Sequence, residues 1–92
     1  MANHKSALKR IRQNKKRRLR NKSRKTRVKN LIKAVEAAVE NRSLEEAKEK
    51  LHLAQKIIDK TAGKKVLHRK TAARKISRIS RKVHALAQAL TG

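Results

Sequence analysis

The side chains that could hold a metal or move a proton are four histidines, at positions 4, 52, 68 and 84, and six acids; there is no cysteine. Metal sites need such ligands to converge at short fixed spacings. No two histidines stand four apart, and the acids are confined to residues 36–59. The Glu36/Glu40 pair reads as the solvated end of a helix rather than an acid/base couple. No Gly-rich loop is present, since the two glycines are Gly63 and Gly92. The expectation is therefore no enzyme, no metal and no cofactor. A different chemistry is abundant. Lys and Arg number 29, for a formal net charge of +23. In "RQNKKRRLRNKSRKTR", Arg12 to Arg27, ten residues are cationic, none is acidic and Leu19 alone is apolar. Arg forks and Lys point charges are suited to phosphate groups.

The charge is unevenly placed. Residues 1–35 hold fifteen Lys/Arg and no acid, and residues 60–92 hold ten and no acid. The stretch 36–59 holds four against six acids. An ordinary solvated face mixes both signs, so the acid-free ends point to a polyanionic partner. No apolar run approaches 18 residues, and the Met-Ala-Asn-His start has no apolar segment of a secretory signal. A cytosolic or similarly reducing compartment is expected. A membrane-surface helix would need large apolar or aromatic anchors, and Phe, Trp and Tyr are absent. The same absence removes the stacking platforms of single-strand binders. Phosphate contacts position a protein without reading sequence. Folded RNA presents phosphates in a fixed constellation, so shape can supply specificity. Asn3, Asn14, Asn21, Ser23, Thr26 and Thr71 could add contacts to sugars or base edges. Two other readings fit the charge: a histone-like nucleic-acid compactor, and a ligand of acidic proteins.

These cations must be positioned by a small fold. Ninety-two residues make one domain, and 37% apolar content is below the roughly 45–50% usual for globular chains. The core must be thin, built from Leu, Ile, Val and Ala. No proline interrupts the chain, and good helix formers dominate. The pattern predicts an all-α fold, a three-helix up-down-up bundle with a long, protruding N-terminal helix. The first helix should run from about Ser6 to Asn41, with an apolar stripe of Val28, Leu31, Ile32, Val35, Ala38 and Val39. Leu8, Ile11 and Leu19 fall off that stripe. Ser43-Leu-Glu-Glu46 matches a capping box for a second helix carrying Leu44, Ala47, Leu51, Ala54 and Ile58. Gly63 should stop it in a left-handed conformation. The third helix should run from about Lys64 to Leu90, burying Ala72, Ile76, Ile79, Val83, Leu86 and Leu90. Lys70, Arg74, Arg78 and Arg81 should face away from that line. Residues 1–27 form a basic extension, partly or wholly disordered alone and helical when phosphates neutralise it. Residues 28–92 form the bundle.

Three stretches carry a resemblance: "MANHKSALKRIRQN", "RRLRNKSRKTRVKNLIKAVEAAV" and "LHRKTAARKISRISRKVHAL". Together they resemble the bacterial-type small-subunit ribosomal protein S-twenty family, also found in plastids. The likeness covers most of the chain in the right order. It implies a three-helix bundle with an extended first helix, bound directly to small-subunit (16S-type) ribosomal RNA as an early assembly component. It implies that Lys5, Ser6, Lys9, Arg10, Arg12, Asn14, Arg17, Arg18, Arg20, Asn21, Ser23, Arg24 and Lys25 face RNA. The same is implied for His68, Thr71, Arg74, Lys75 and Arg78. Neighbouring ribosomal proteins would be further partners. No membrane and no homo-oligomer are expected. The location would be the cytoplasmic ribosome, or the plastid stroma for a plastid chain. The sequence departs from the usual pattern at His4 (commonly Ile), Lys70 (commonly Asn) and Ile76 (commonly Lys). Lys70 gains phosphate affinity and loses an amide that could read a sugar or base. Ile76 falls on the apolar stripe.

Overall fold

The computed structural model describes residues 3–91, with side chains from Lys5 onward. The side chains of Asn3 and His4 lie outside the described residues, so the contacts suggested for Asn3 do too. Three helices follow in order: α1 (Asn3–Glu40), α2 (Leu44–Gly63) and α3 (Arg69–Thr91). The described residues contain no strand. Short links make neighbouring helices antiparallel, so the bundle runs up-down-up, as expected. Its overall extents are 72 × 22 × 13 Å. The long dimension comes from α1, whose 38 residues span roughly 57 Å at 1.5 Å each.

The core is shared among the helices and is small. Val28, Val35 and Ala38 come from α1, Ala47, Ala54 and Ile58 from α2, and Ala72, Ile79, Val83 and Leu86 from α3. Leu31, Ile32, Val39, Leu44, Leu51, Ile57, Ala62, Leu67 and Ile76 pack around it, half-buried. The alanines let the backbones approach, and the branched residues fill between them. Leu90, expected on the α3 line, is exposed instead, beyond the last turn that the partner helices cover. Leu8, Ile11 and Leu19 are also exposed, at 47%, 60% and 66%. The extension therefore adds nothing to the core.

Two links differ in detail from the expected chemistry. Ser43 is the N-cap of α2, but its side chain makes no cap hydrogen bond. Its carbonyl accepts from the Ala47 N–H at 2.9 Å, and its own N–H closes the end of α1 on the Ala38 carbonyl at 3.0 Å. Gly63 is not left-handed; it is the last residue of α2. The left-handed residue is Lys65, with φ 62°. The Lys65 N–H donates to the Ala62 carbonyl at 2.9 Å and the Val66 N–H to the Thr61 carbonyl at 3.2 Å. That pair of bonds is the Schellman closure, placed two residues past Gly63. α1 ends in the same way, with Arg42 at φ 56°, Arg42 N–H on the Val39 carbonyl and Ser43 N–H on the Ala38 carbonyl. Because Lys65 turns the chain, residues 64–68 form a link and α3 starts at Arg69, not Lys64. Val66 and Leu67 are half-buried in that link.

Candidate nucleic-acid interface

The positions proposed from sequence fall into two sets. Lys5, Ser6, Lys9, Arg10, Arg12, Asn14, Arg17, Arg18 and Arg20 lie exposed along the outer half of α1. At 100° per residue their cations point in every direction around the helix. Lys22, Lys25 and the half-buried Arg24 continue the pattern toward the bundle. Asn21 is also half-buried, whereas Ser23 is exposed. The Thr26 hydroxyl donates to the Lys22 carbonyl at 2.9 Å, so it is satisfied within the helix.

The second set lies at the start of α3. Thr71, Arg74 and Arg78 are exposed, and Lys75 is half-buried. Lys70 and Arg81 are exposed too, while Ile79 and Val83 on the other face are buried. The separation of cationic and apolar faces expected for α3 is therefore present. His68 has a structural part that sequence reading did not foresee. Its carbonyl accepts the first helical bond from the Ala72 N–H at 3.0 Å. Its Nδ1 accepts the Lys70 N–H at 3.1 Å. An imidazole thus caps α3 where Ser, Asp or Asn usually would. With Nδ1 accepting, the neutral ring carries its proton on Nε2, which leaves one donor for a partner.

Tertiary structure brings the inner end of the first set beside the second. The Lys82 Nζ donates to Glu36 Oε1 at 2.9 Å, pairing α3 with α1 at an offset of 46 residues. Since α3 is parallel to α1, Arg69–Arg78 stand level with about residues 23–32 of α1. Lys5 lies a further 18 residues out, roughly 27 Å along the helix axis. The outer cations are thus not gathered with the α3 set. They project from it.

The acids are drawn the other way. Glu36 and Glu40 end α1, and Glu45, Glu46 and Glu49 begin α2. All five flank the α1–α2 turn, at the end of the bundle away from the extension. Asp59 alone lies toward the other end. Helix dipoles reinforce this polarity. α2 has Glu45 and Glu46 in its first turn and Lys60 in its last, the favourable arrangement. α1 and α3 have no acid in the first turn and no base in the last. α3 opens with Arg69 and Lys70 beside its positive end, which costs about 0.3–1 kcal/mol each in the free chain. An anion docked there would reverse that sign.

Arg27, Lys60 and Lys64 stand outside the positions expected from sequence. These line a cleft between α1 and α2 with Arg24, Ile57 and Thr61. Ile57, Lys60 and Thr61 mark one face of α2, which Lys64 continues at its C-cap, but only the helix pairing shows what that face meets. Among the described residues, no three His, Cys, Asp or Glu side chains converge as metal ligands, and no helix is long and apolar enough to cross a membrane.

Comparison with known proteins adds independent evidence. The family model described as "Ribosomal protein S20" matches residues 2–84. A protein of Syntrophobacter fumaroxidans named small ribosomal subunit protein bS20 is 55% identical over 86 residues, covering 94% of this chain and 100% of its own length. Its namesake from Desulfatibacillum aliphaticivorans is 58% identical over 87 residues, covering 95% and 99%. That from Desulfosudis oleivorans is 53% identical over 88 residues, covering 96% and 100%. With the fold, the cation map and these matches in agreement, the chain belongs to the ribosomal protein S20 family.

Proposed function

We propose that this protein is a structural, non-enzymatic constituent of the small ribosomal subunit that binds its ribosomal RNA directly and aids its assembly. The carrying observation is the outer half of α1, whose cations point all around the helix and meet no acid. A helix lying on one duplex needs cations on one side only. Cations on every side suit a rod inserted among several phosphate backbones, where it neutralises them and lets RNA helices approach. The α3 set, including Thr71, Arg74, Lys75 and Arg78, would hold the same RNA at the base of the rod. His68 would cap α3 and offer Nε2–H outward.

Residues 1–27 act in this reading as the RNA-binding extension, with 28–92 as the bundle that anchors it. From Lys5 through Arg20 the extension buries no side chain against the bundle, and its like charges repel. Its helical form is therefore coupled to RNA. The chain acts as a monomer, because +23 opposes self-association. Its place is the bacterial ribosome and hence the cytoplasm, beside neighbouring ribosomal proteins.

The deciding experiment is competition between a small-subunit ribosomal RNA transcript and duplex DNA at about 200 mM salt, where nonspecific phosphate binding fades. Retained binding to the transcript with little to DNA is expected. Equal loss of both, or equal retention, would favour a histone-like compactor.

A further inference from the structure

We propose that the cleft between α1 and α2, at the root of the extension, is a site for a single RNA phosphodiester that fixes the angle at which the RNA meets the rod. This rests on the RNA-binding reading above and adds a site to it. The lining is Arg24, Arg27, Ile57, Lys60, Thr61 and Lys64, around about 150 Å³. Small-molecule sites usually measure about 300–1,000 Å³. The cleft is thus too small for a whole nucleotide and suits one tetrahedral group.

Its electrostatics are unbalanced. Four cations converge, two from α1 and two from the C-terminal end of α2 and its cap, and none forms an ion pair among the described residues. Arg24 is half-buried there. Withdrawing a guanidinium from water with no counterion is unfavourable, and its neighbours add repulsion. The Thr61 hydroxyl donates to the Ile57 carbonyl at 2.7 Å, so the cleft's donors are the cations. One ordinary explanation is that Lys60 and Lys64 complement the negative end of α2. That leaves Arg24 and Arg27, which come from a different helix, unexplained. The carbonyls at that end are moreover engaged by the N–H groups of Lys64, Lys65 and Val66. The roughly half-unit charge of a helix terminus is small beside four full charges. A phosphodiester is favoured over a carboxylate because the cleft adjoins the extension's own array of cations, so one backbone can run from one to the other.

The test uses the full chain and a small-subunit ribosomal RNA transcript. Lys60→Gln/Lys64→Gln is compared with Lys48→Gln/Lys50→Gln, which removes the same charge roughly 20 Å away along the α2 axis. The cleft variant should bind about ten-fold or more weakly. Its plot of log affinity against log salt should be shallower by about one. The control should change by about two-fold, because screening limits distant charges. Arg27→Gln, on the opposite wall, should weaken binding in the same direction, and Lys60→Arg/Lys64→Arg should retain it. Equal weakening by the cleft and control pairs would overturn the site. So would normal binding by Arg27→Gln and the Lys60→Gln/Lys64→Gln pair together. Failure of the unmodified chain to prefer the transcript would instead overturn the RNA reading, so the two failures are distinct. Thermal unfolding by circular dichroism should show every variant folded. If the Gln pair unfolds, Arg27→Gln and the Arg pair decide.

Discussion

Residues 5–22 continue without a break into the bundle, residues 28–86, through α1, yet the two regions are held by opposite means. The bundle is stabilised from within, by Val35, Ile58 and Ile79 at 0–1% exposure and by neighbours around them. The extension is exposed almost throughout and carries its Leu and Ile side chains in water. Charge follows the same division. Five of the six acids sit at the far end of the bundle, and the extension has none. The comparison teaches that secondary structure alone does not define a folding unit. A helix that buries no side chain needs an external partner, for which we propose a phosphate backbone, to offset its repulsion and ordering entropy.

The comparison is most sharply tested by separating binding from stability. Replacing Arg17, Arg18 and Arg20 together with Gln should lower affinity for the ribosomal RNA by on the order of a hundred-fold or more. The unfolding midpoint of the bundle should stay unchanged or rise, because only repulsion is removed. Amide exchange gives the same contrast directly. Residues 5–22 should be protected only with RNA, and residues 28–86 in both states. Strong protection of 5–22 in the free chain would break the comparison.

Ile79→Ala probes the other side. It leaves a void among buried neighbours and should cost about 2–5 kcal/mol, read by denaturant unfolding. For a thin core that approaches the whole stability. A cost under about 1 kcal/mol would show that the interior is not packed as described.

His68 stands where the two regions meet. His68→Ala should destabilise the free bundle by about 1 kcal/mol through loss of the cap, and His68→Asn should restore it. If His68→Asn recovers stability but not RNA affinity, Nε2 has a binding role separate from the cap.

The smallest effects test the link chemistry. Lys65→Gly should stabilise the free protein by about 0.5–1 kcal/mol, since a left-handed residue favours glycine. Gly63→Ala should stabilise by a similar ~0.5–1 kcal/mol, because Gly63 lies in a helix and a Cβ there would meet nothing within 4 Å. Opposite signs in thermal melts would restore Gly63 as the turn residue. Lys65→Gly should also weaken RNA binding slightly, which would explain why a cation occupies that position.

Much of this was legible early. Steps of three and four between apolar residues located the helices, because burial needs one face and a helix repeats every 3.6 residues. The same geometry separated Ile79 and Val83 from Arg74 and Arg78. Link details were less legible. Gly63 and Ser43 have the right residue types for their expected parts. Backbone hydrogen bonds closed both turns on Arg42 and Lys65 instead, a choice that depends on how the flanking helices dock.

Sequence by itself determined an all-helical chain, a thin aliphatic core and two acid-free ends, since composition and periodicity are local properties. Tertiary structure alone decided that Lys82 pairs with Glu36 and that Arg24 and Arg27 meet Lys60 and Lys64. Those relations join residues far apart along the chain. They depend on the register in which three helices pack, and register is fixed by the mutual fit of their buried side chains.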